Sequence, residues 1–287
     1  MVYILTILTC LLGCGILVGI KILFAFELTS FSLFFIVPVG AMFSSAAICS
    51  GYPFGIKKNN IKPSKGQVIT VLILAALMFF VLQYGYYMVT YLDEDYHINY
   101  RFQGDHISEF VFIDSGKEIN FLRFLVHSIN TQTITFSYRS LSESVEANKV
   151  VNWVFFVLDF IGFLAGGYII YYYLVSSAIY CDNCNKYMKK KKMIRLTGNI
   201  QEKLNILKES IENKDISRIK ELIQSNVTEK KPEEMYVDTI LNYCEDCNDG
   251  YLIFEFFVET RKGKFVQDGK RTIKVRIDNE IVKNLVQ

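Results

Sequence analysis

The chain has only three histidines and one tryptophan, and its net charge is +2. It carries no nucleophile–base pattern, no phosphate-cradling glycine loop and no metalloprotease helix signature. These absences argue against the enzyme classes that leave local signatures, and no catalytic residue is nominated. His97, His106 and His127 all fall between residues 92 and 150. Their spacings match no ligand motif, so they read as solvated or half-buried side chains rather than a metal- or pH-sensing site. Charge is also missing from four long stretches. Residues 31–50 and 68–91 hold none, 2–24 hold only Lys21, and 151–173 hold only Asp159.

Apolar side chains fill those stretches, and 51% of the 287 residues are hydrophobic. A helix needs roughly 20 apolar residues to cross a bilayer core of about 30 Å. All four stretches qualify, so the expected fold is an α-helical membrane bundle of four transmembrane helices followed by a C-terminal cytoplasmic α+β domain. Leu11-Leu12-Gly13-Cys14 has the form of a lipoprotein cleavage site. The apolar run continues well past Cys14 and no basic residue precedes it, which favours a plain spanning helix.

Loop charges predict orientation. Lys57, Lys58, Lys62 and Lys65 occupy the link between the second and third spans, which has no acid. Lys186, the run Lys189, Lys190, Lys191 and Lys192, and Arg195 follow the fourth span. Both segments are expected in the cytoplasm by the positive-inside rule. The acidic segment 92–150 is expected outside, and both termini inside. Three spans then occupy 1–91, an extracytoplasmic loop 92–150, the fourth span 151–178, and the cytoplasmic domain 181–287. Within the loop, Ile119 to Ile129 reads as an amphipathic helix and Thr133–Tyr138 as a strand.

Lys21 and Asp159 are costly at membrane depth, by about 2.5–3.5 kcal/mol each on insertion scales. They are expected to pair across helices, ahead of serving an ion pathway. Gly15-x-x-x-Gly19 and Gly162-x-x-x-Gly166 predict close helix approach, within the chain or between copies, and a homo-oligomer is expected.

Two matched knuckles stand in the soluble third, Cys181-Asp-Asn-Cys184-Asn185 and Cys244-Glu-Asp-Cys247-Asn248. Four thiolates in two C-x-x-C pairs form the usual set for one tetrahedral metal. Reducing cytoplasm disfavours disulfides, and four protein ligands leave no open position, so a structural zinc is expected. An iron site uses the same ligands and stays open. On these cysteines and the strands around them, the domain resembles zinc ribbons and rubredoxin-like folds. The resemblance covers the C-terminal third and implies two knuckles closing on one metal. It departs from that pattern in one respect: residues 185–243 separate the pairs, against about 15–20 in a compact ribbon.

That gap reads as a helical insert over 199–226. Ile200, Leu204, Leu207 and Ile211 form a helical seam, opened by a capping-box-like Asn199 and Glu202. A second seam, Ile216, Ile219 and Ile223, follows a break where Asp215 caps. The helices read as core packing or as a docking surface. Residues 235–243 read as a strand, then Leu252, Phe254, Phe256 and Val258 share a face, and a terminal helix closes the chain near 279–286. The lysine run is expected to touch anionic lipid, in preference to joining Lys262, Lys264, Lys270, Arg271, Lys274 and Arg276 as a nucleic-acid surface.

Three functions follow in order. The first is a non-enzymatic membrane sensor or scaffold that docks a soluble cytoplasmic partner. The second is a channel or transporter subunit using Asp159. The third is a membrane-tethered nucleic-acid binder.

Overall fold

The computed structural model describes residues 1–33, 36–113, 116–138, 141–146, 148–215, 217–219, 221, 235–260 and 263–286. Ile216, Ile223, Pro232 and Lys262 lie outside them, so the second helical seam is represented by Ile219 alone. The chain divides into two compact units. One comprises Met1–Asn59 and Pro63–Ser177, the other Asn60–Lys62 and Ala178–Gln287.

The first unit is helical. Helices α1 (Val2–Phe24), α4 (Lys65–Met88) and α6 (Lys149–Tyr171, continued by a π-helical turn to Ser176) are each long and apolar enough to cross a membrane. A fourth span exists only if α2 (Val39–Cys49) and α3 (Gly51–Lys58), bent by 40°, count as one. This corrects the expected straight helix over 31–50. Leu28–Ser30 forms a 3₁₀ turn, Leu33 bridges Val37, and helix begins only after Pro38. Proline restrains the residue before it to extended backbone, which delays the start. The far end runs on because Pro53 sits in the first turn of α3, where its missing N–H is tolerated. In one continuous helix that same proline would leave a carbonyl unpaired, so the chain bends there.

One glycine motif packs inside the unit. A Cβ on Gly162 would lie 2.4 Å from Pro38 Cγ, and one on Gly166 would lie 2.1 Å from Met42 O. Only glycine lets α6 approach α2 so closely. A Cβ on Gly15 or Gly19 would have nothing within 4 Å, so that motif makes no close approach among the described residues. Gly51 does so instead, at the α2–α3 bend. Its Cβ would meet Leu5 O at 2.4 Å, and its N–H donates to Thr9 Oγ1 at 3.2 Å.

Between α4 and α6 the chain builds small elements. Strands β1 (Tyr91–Leu92), β2 (Ile98–Asn99) and β3 (Asp105–His106) form one antiparallel sheet. The expected amphipathic helix is α5 (Phe121–Thr131), capped by Asn120, whose side chain accepts from Arg123 N at 3.1 Å. The expected strand Thr133–Tyr138, β4, pairs with β5 (Leu141–Glu146). Asn152 of α6 donates to the carbonyls of Asn130 and Gln132, tying α5 to α6.

The second unit is a five-stranded antiparallel sheet. Its strands are β8 (Lys189–Leu196), β9 (Met235–Tyr243), β10 (Gly250–Glu259), β11 (Phe265–Gln267) and β12 (Ile273–Ile277). The order runs β8-β9-β10, with β11 and β12 both paired to β10. Before it comes a hairpin, β6 (Tyr180–Cys181) with β7 (Lys186–Tyr187).

Period-two alternation sorts the side chains. Leu252, Phe254 and Phe256 are buried with Val237 and Leu241 beneath α7 (Ile200–Glu212) and α8 (Asn279–Val286). Val258, expected on the same buried face, is exposed near the end of β10. The α7 seam Ile200, Leu204, Leu207 and Ile211 is consumed by this core, which corrects the docking alternative for that face. Asn199 makes no cap to backbone. Its Nδ2 donates to Glu202 Oε2 at 2.6 Å, so the two side chains satisfy each other. Asp215 does cap, accepting from Arg218 N at 3.1 Å.

Candidate metal centre

Each knuckle is a tight turn at one end of the second unit. Cys181 ends β6, and Cys184 lies in the turn to β7. Cys244 follows β9, and Cys247 precedes β10. Both turns close on an asparagine with left-handed backbone, Asn185 at φ 53° and Asn248 at φ 55°. Asparagine tolerates that region better than most side-chain-bearing residues. In the second knuckle Asn248 N donates to Cys244 O, and Cys244 N donates to Asp249 O, each at 2.9 Å.

The two turns bring all four sulfurs within 4.8 Å of one another. Cys181 Sγ and Cys247 Sγ are 3.5 Å apart. Cys181 and Cys244 are buried, while Cys184 and Cys247 are partly open. Such a cluster can hold a metal ion, and it is compatible with a zinc-ribbon-like site.

Backbone donors repeat the symmetry. The N–H groups of Asn183 and Cys184 point at the Cys181 sulfur, and those of Asp246 and Cys247 at the Cys244 sulfur. Burial pushes the Cys181 thiol above its ordinary range, whereas hydrogen bonding to Cys247 pushes Cys184 up to about 12. Burial also opposes ionisation of Cys244, yet the backbone donors prevail and hold it below the ordinary value. The Cys244 sulfur is thus favoured as thiolate, while burial at Cys181 and hydrogen bonding at Cys184 favour the thiol. A cation at the centre would relieve that conflict.

Cations surround the cluster. Lys186 pairs with Asp246 at 2.5 Å and Lys189 with Glu245 at 2.6 Å, so each bridges from the first-knuckle side to the second knuckle. Arg276 pairs with Asp249 at 3.2 Å. The segment Asn60–Lys62 also belongs to this unit. Tyr180 OH donates to Asn60 O at 2.9 Å, Tyr187 OH to Ile61 O at 2.8 Å, and Lys62 pairs with Asp182 at 2.7 Å.

The other nominated residues fall elsewhere. The lysine run is an edge strand, and each ammonium has a protein partner. Lys189 meets Glu245, Lys190 meets Glu255, Lys191 donates to the carbonyls of Leu285 and Val286, and Lys192 meets Asp238. Alternation along a strand sends successive lysines to opposite faces, which a run of like charges does not announce. Such an edge also resists pairing with other chains. Asp238 is the residue that inspection of charge runs missed. It is buried in β9 and held by Arg195 Nε and Lys192 Nζ, both at 2.8 Å.

Lys21 pairs with Glu27 at 2.5 Å rather than with Asp159. The chain leaves α1 through a left-handed Ala25 and brings Glu27 back against the lysine, a local return that helix spacing does not foretell. His106 bonds Ser108 Oγ and Tyr87 O, His97 lies 3.7 Å from Asp93, and His127 packs on Phe112. Among the described residues the four cysteines are the one group of metal-binding side chains gathered together. No protein-family model, curated protein or solved structure matches this chain.

Proposed function

We propose that this chain is a multi-pass membrane sensor or scaffold. Both termini lie in the cytoplasm, and a zinc-stapled domain there docks a soluble protein. The observation carrying the reading is the gathering of four cysteine sulfurs within 4.8 Å at one end of a sheet. Four protein ligands leave no position for substrate, so a zinc ion here would brace the fold rather than perform chemistry. Segment charge supports the orientation: Lys57, Lys58, Lys62 and Lys65 fill the link before the third span, and Lys186 and the run Lys189 to Lys192 follow the fourth.

The docking surface is the sheet face opposite α7 and α8. Tyr251, Ile253 and Phe257 are half-buried along its centre, flanked by Lys190 and Lys192 on β8 and Lys274 and Arg276 on β12. Lys274 Nζ stands 4.0 Å over the Tyr251 ring. An apolar strip with a mixed charged margin suits a protein surface. The acids Asp238, Glu255 and Asp249 are interleaved with those bases, which weakens a nucleic-acid reading.

The test is co-purification of the full-length protein from its own membranes. The wild type should retain a stoichiometric soluble protein, and Lys190→Glu with Lys274→Glu should release it. Retention of salt-sensitive nucleic acid, or cation flux in liposomes that Asp159→Asn abolishes, would replace this reading.

A further inference from the structure

Helix α5 of the first unit carries an uncovered apolar stripe, a feature independent of the docking reading. The helix joins two span ends. Its Phe121 ring packs on Tyr84 and Tyr87 of α4, with centroids 5.4 and 6.0 Å apart, and Phe124 packs on Tyr87 at 5.3 Å. Near its other end, Trp153 Nε1 of α6 donates to Asn130 Oδ1 at 3.1 Å, beside the bonds made by Asn152.

Helix length gives the depth of these anchors. The 24 residues of α4 rise about 36 Å, against a hydrocarbon core of about 30 Å. Set upright and centred, α4 overhangs that core by about 3 Å at each end. Tyr84 stands about 6 Å before the end of α4, so its backbone lies about 3 Å inside the boundary. The 28 residues Lys149–Ser176 rise about 42 Å, which puts Trp153 at the boundary itself. Tyrosine and tryptophan collect at that level of a bilayer. Because α5 is bonded to both anchors, it lies there too.

Successive residues turn by about 100° around a helix, so the flanks of α5 can be told apart. Phe121 packs on α4, and Ile129 on the same side is buried. His127 stacks on Phe112 with centroids 5.0 Å apart, and Phe124 reaches Tyr87, which is nearer the end of α4 than Tyr84. That flank faces away from the hydrocarbon. Leu122 and Val126, one turn apart, hold the opposite flank and are 67% and 45% exposed. Single exposed apolar side chains are ordinary, but here two stand in line and face the core of the bilayer.

We propose that Leu122 and Val126 are immersed in lipid, and that α5 is an interfacial helix in the leaflet where α4 ends and α6 begins. The surface it fits is the junction of headgroups and acyl chains. There an apolar stripe enters the hydrocarbon while the opposite flank stays at the polar level.

Tryptophan quenching in lipid nanodiscs tests the placement, using the full-length protein and a tryptophan-free scaffold protein. Trp153 is the only native tryptophan. Leu122→Trp, Val126→Trp and Thr131→Trp are therefore made with Trp153→Phe. If that parent does not fold, Trp153 is kept and each signal is read as the difference from the wild type. The lipid is phosphatidylcholine brominated on the acyl chains near the headgroup, and acrylamide is the aqueous quencher. An interfacial helix sets its apolar face about 5–10 Å into the boundary, so bromine should quench Leu122→Trp and Val126→Trp about twofold more than Thr131→Trp. Acrylamide should show the reverse order. If Leu122→Trp does not fold, Val126→Trp decides. Acrylamide quenching of the stripe as strong as that of Thr131→Trp, without bromine quenching, would overturn the proposal. Protection of the stripe from both quenchers would overturn it as well, since that marks a cover of protein such as a second copy.

Discussion

Removing one cysteine from the cluster should cost the metal, and the structure bounds the effect. Sulfurs placed about 2.3 Å from a tetrahedral zinc are about 3.8 Å apart. The four observed sulfurs lie within 4.8 Å, so closing on an ion asks for shifts of about 1 Å or less. The knuckles are therefore preorganised, and little binding energy goes into ordering the chain. Metal at a hundredfold excess over its Kd would stabilise the folded state by about 2.7 kcal/mol. For a sheet domain of this size that is a melting shift on the order of 10 °C. Cys247→Ser leaves three thiolates and a poor fourth ligand. Outer-shell changes alone lower metal affinity about 10–100-fold, and loss of a direct ligand should exceed that. Metal content by mass spectrometry and melting with and without a chelator read both effects. One zinc per wild-type chain is expected, with a chelator-sensitive melt that Cys247→Ser lacks. A folded wild type with no bound metal and no response to chelator would refute the reasoning. A Cys181–Cys247 disulfide in the protein as isolated would refute it equally.

Gly166→Ala should disrupt the helical unit. Its Cβ would sit 2.1 Å from a backbone oxygen, and overpacking of that kind costs about 1–3 kcal/mol or more, whereas Gly15→Ala meets open space and should melt like the wild type in detergent. Asn185→Gly should leave metal affinity unchanged, while Asn185→Val should weaken it and lower stability by about 1–2 kcal/mol, because β-branched residues resist a left-handed backbone. Asp238 should make the sheet acid-labile. Burial raises its carboxyl, but hydrogen bonds from Arg195 and Lys192 outweigh that and hold it below the ordinary range. The folded state therefore binds fewer protons at this group. Its contribution is present above pH about 4 and is lost as pH falls through the folded value. Asp238→Asn should flatten that acid limb in a pH series of melts. It should also cost about 1.5 kcal/mol at neutral pH, the low end for charged hydrogen bonds because both cationic ends meet water.

The legible parts of this chain were those governed by short periods. Alternation at Leu252, Phe254 and Phe256 gave a strand and its buried face, and the step pattern of Ile200 to Ile211 gave a helix. Matched C-x-x-C spacing gave the cysteine cluster, because two knuckles with the same turn chemistry are most useful when facing one ion. What escaped depended on contacts between distant elements or on a local return of the chain. Lys21 found Glu27 through a turn with no periodic signature. Pro53 was the missed signal for the bend, since a proline shortly after an expected span end argues for a new helix there. The two glycine motifs looked alike in sequence, and only the presence of α2 opposite Gly162 and Gly166 separates them.

The lysine run shows that composition alone does not give surroundings. Four consecutive cations next to an apolar stretch carry the expectation of contact with anionic lipid headgroups, but not of a strand. As an edge strand they alternate, and each face then supplies carboxylates or carbonyls at the distances that matter. The same logic reaches the metal. Cys181 belongs to the β6–β7 hairpin, and that hairpin holds Asn60 and Ile61 through Tyr180 and Tyr187, across sequence separations of 120 and 126. The Lys62–Asp182 pair is exposed and contributes little by itself, whereas the tyrosine hydroxyls bond backbone carbonyls. An ion that fixes Cys181 therefore also fixes the strand from which those tyrosines reach. A metal ion held there would brace both knuckles, and through the first it would also order residues 60–62.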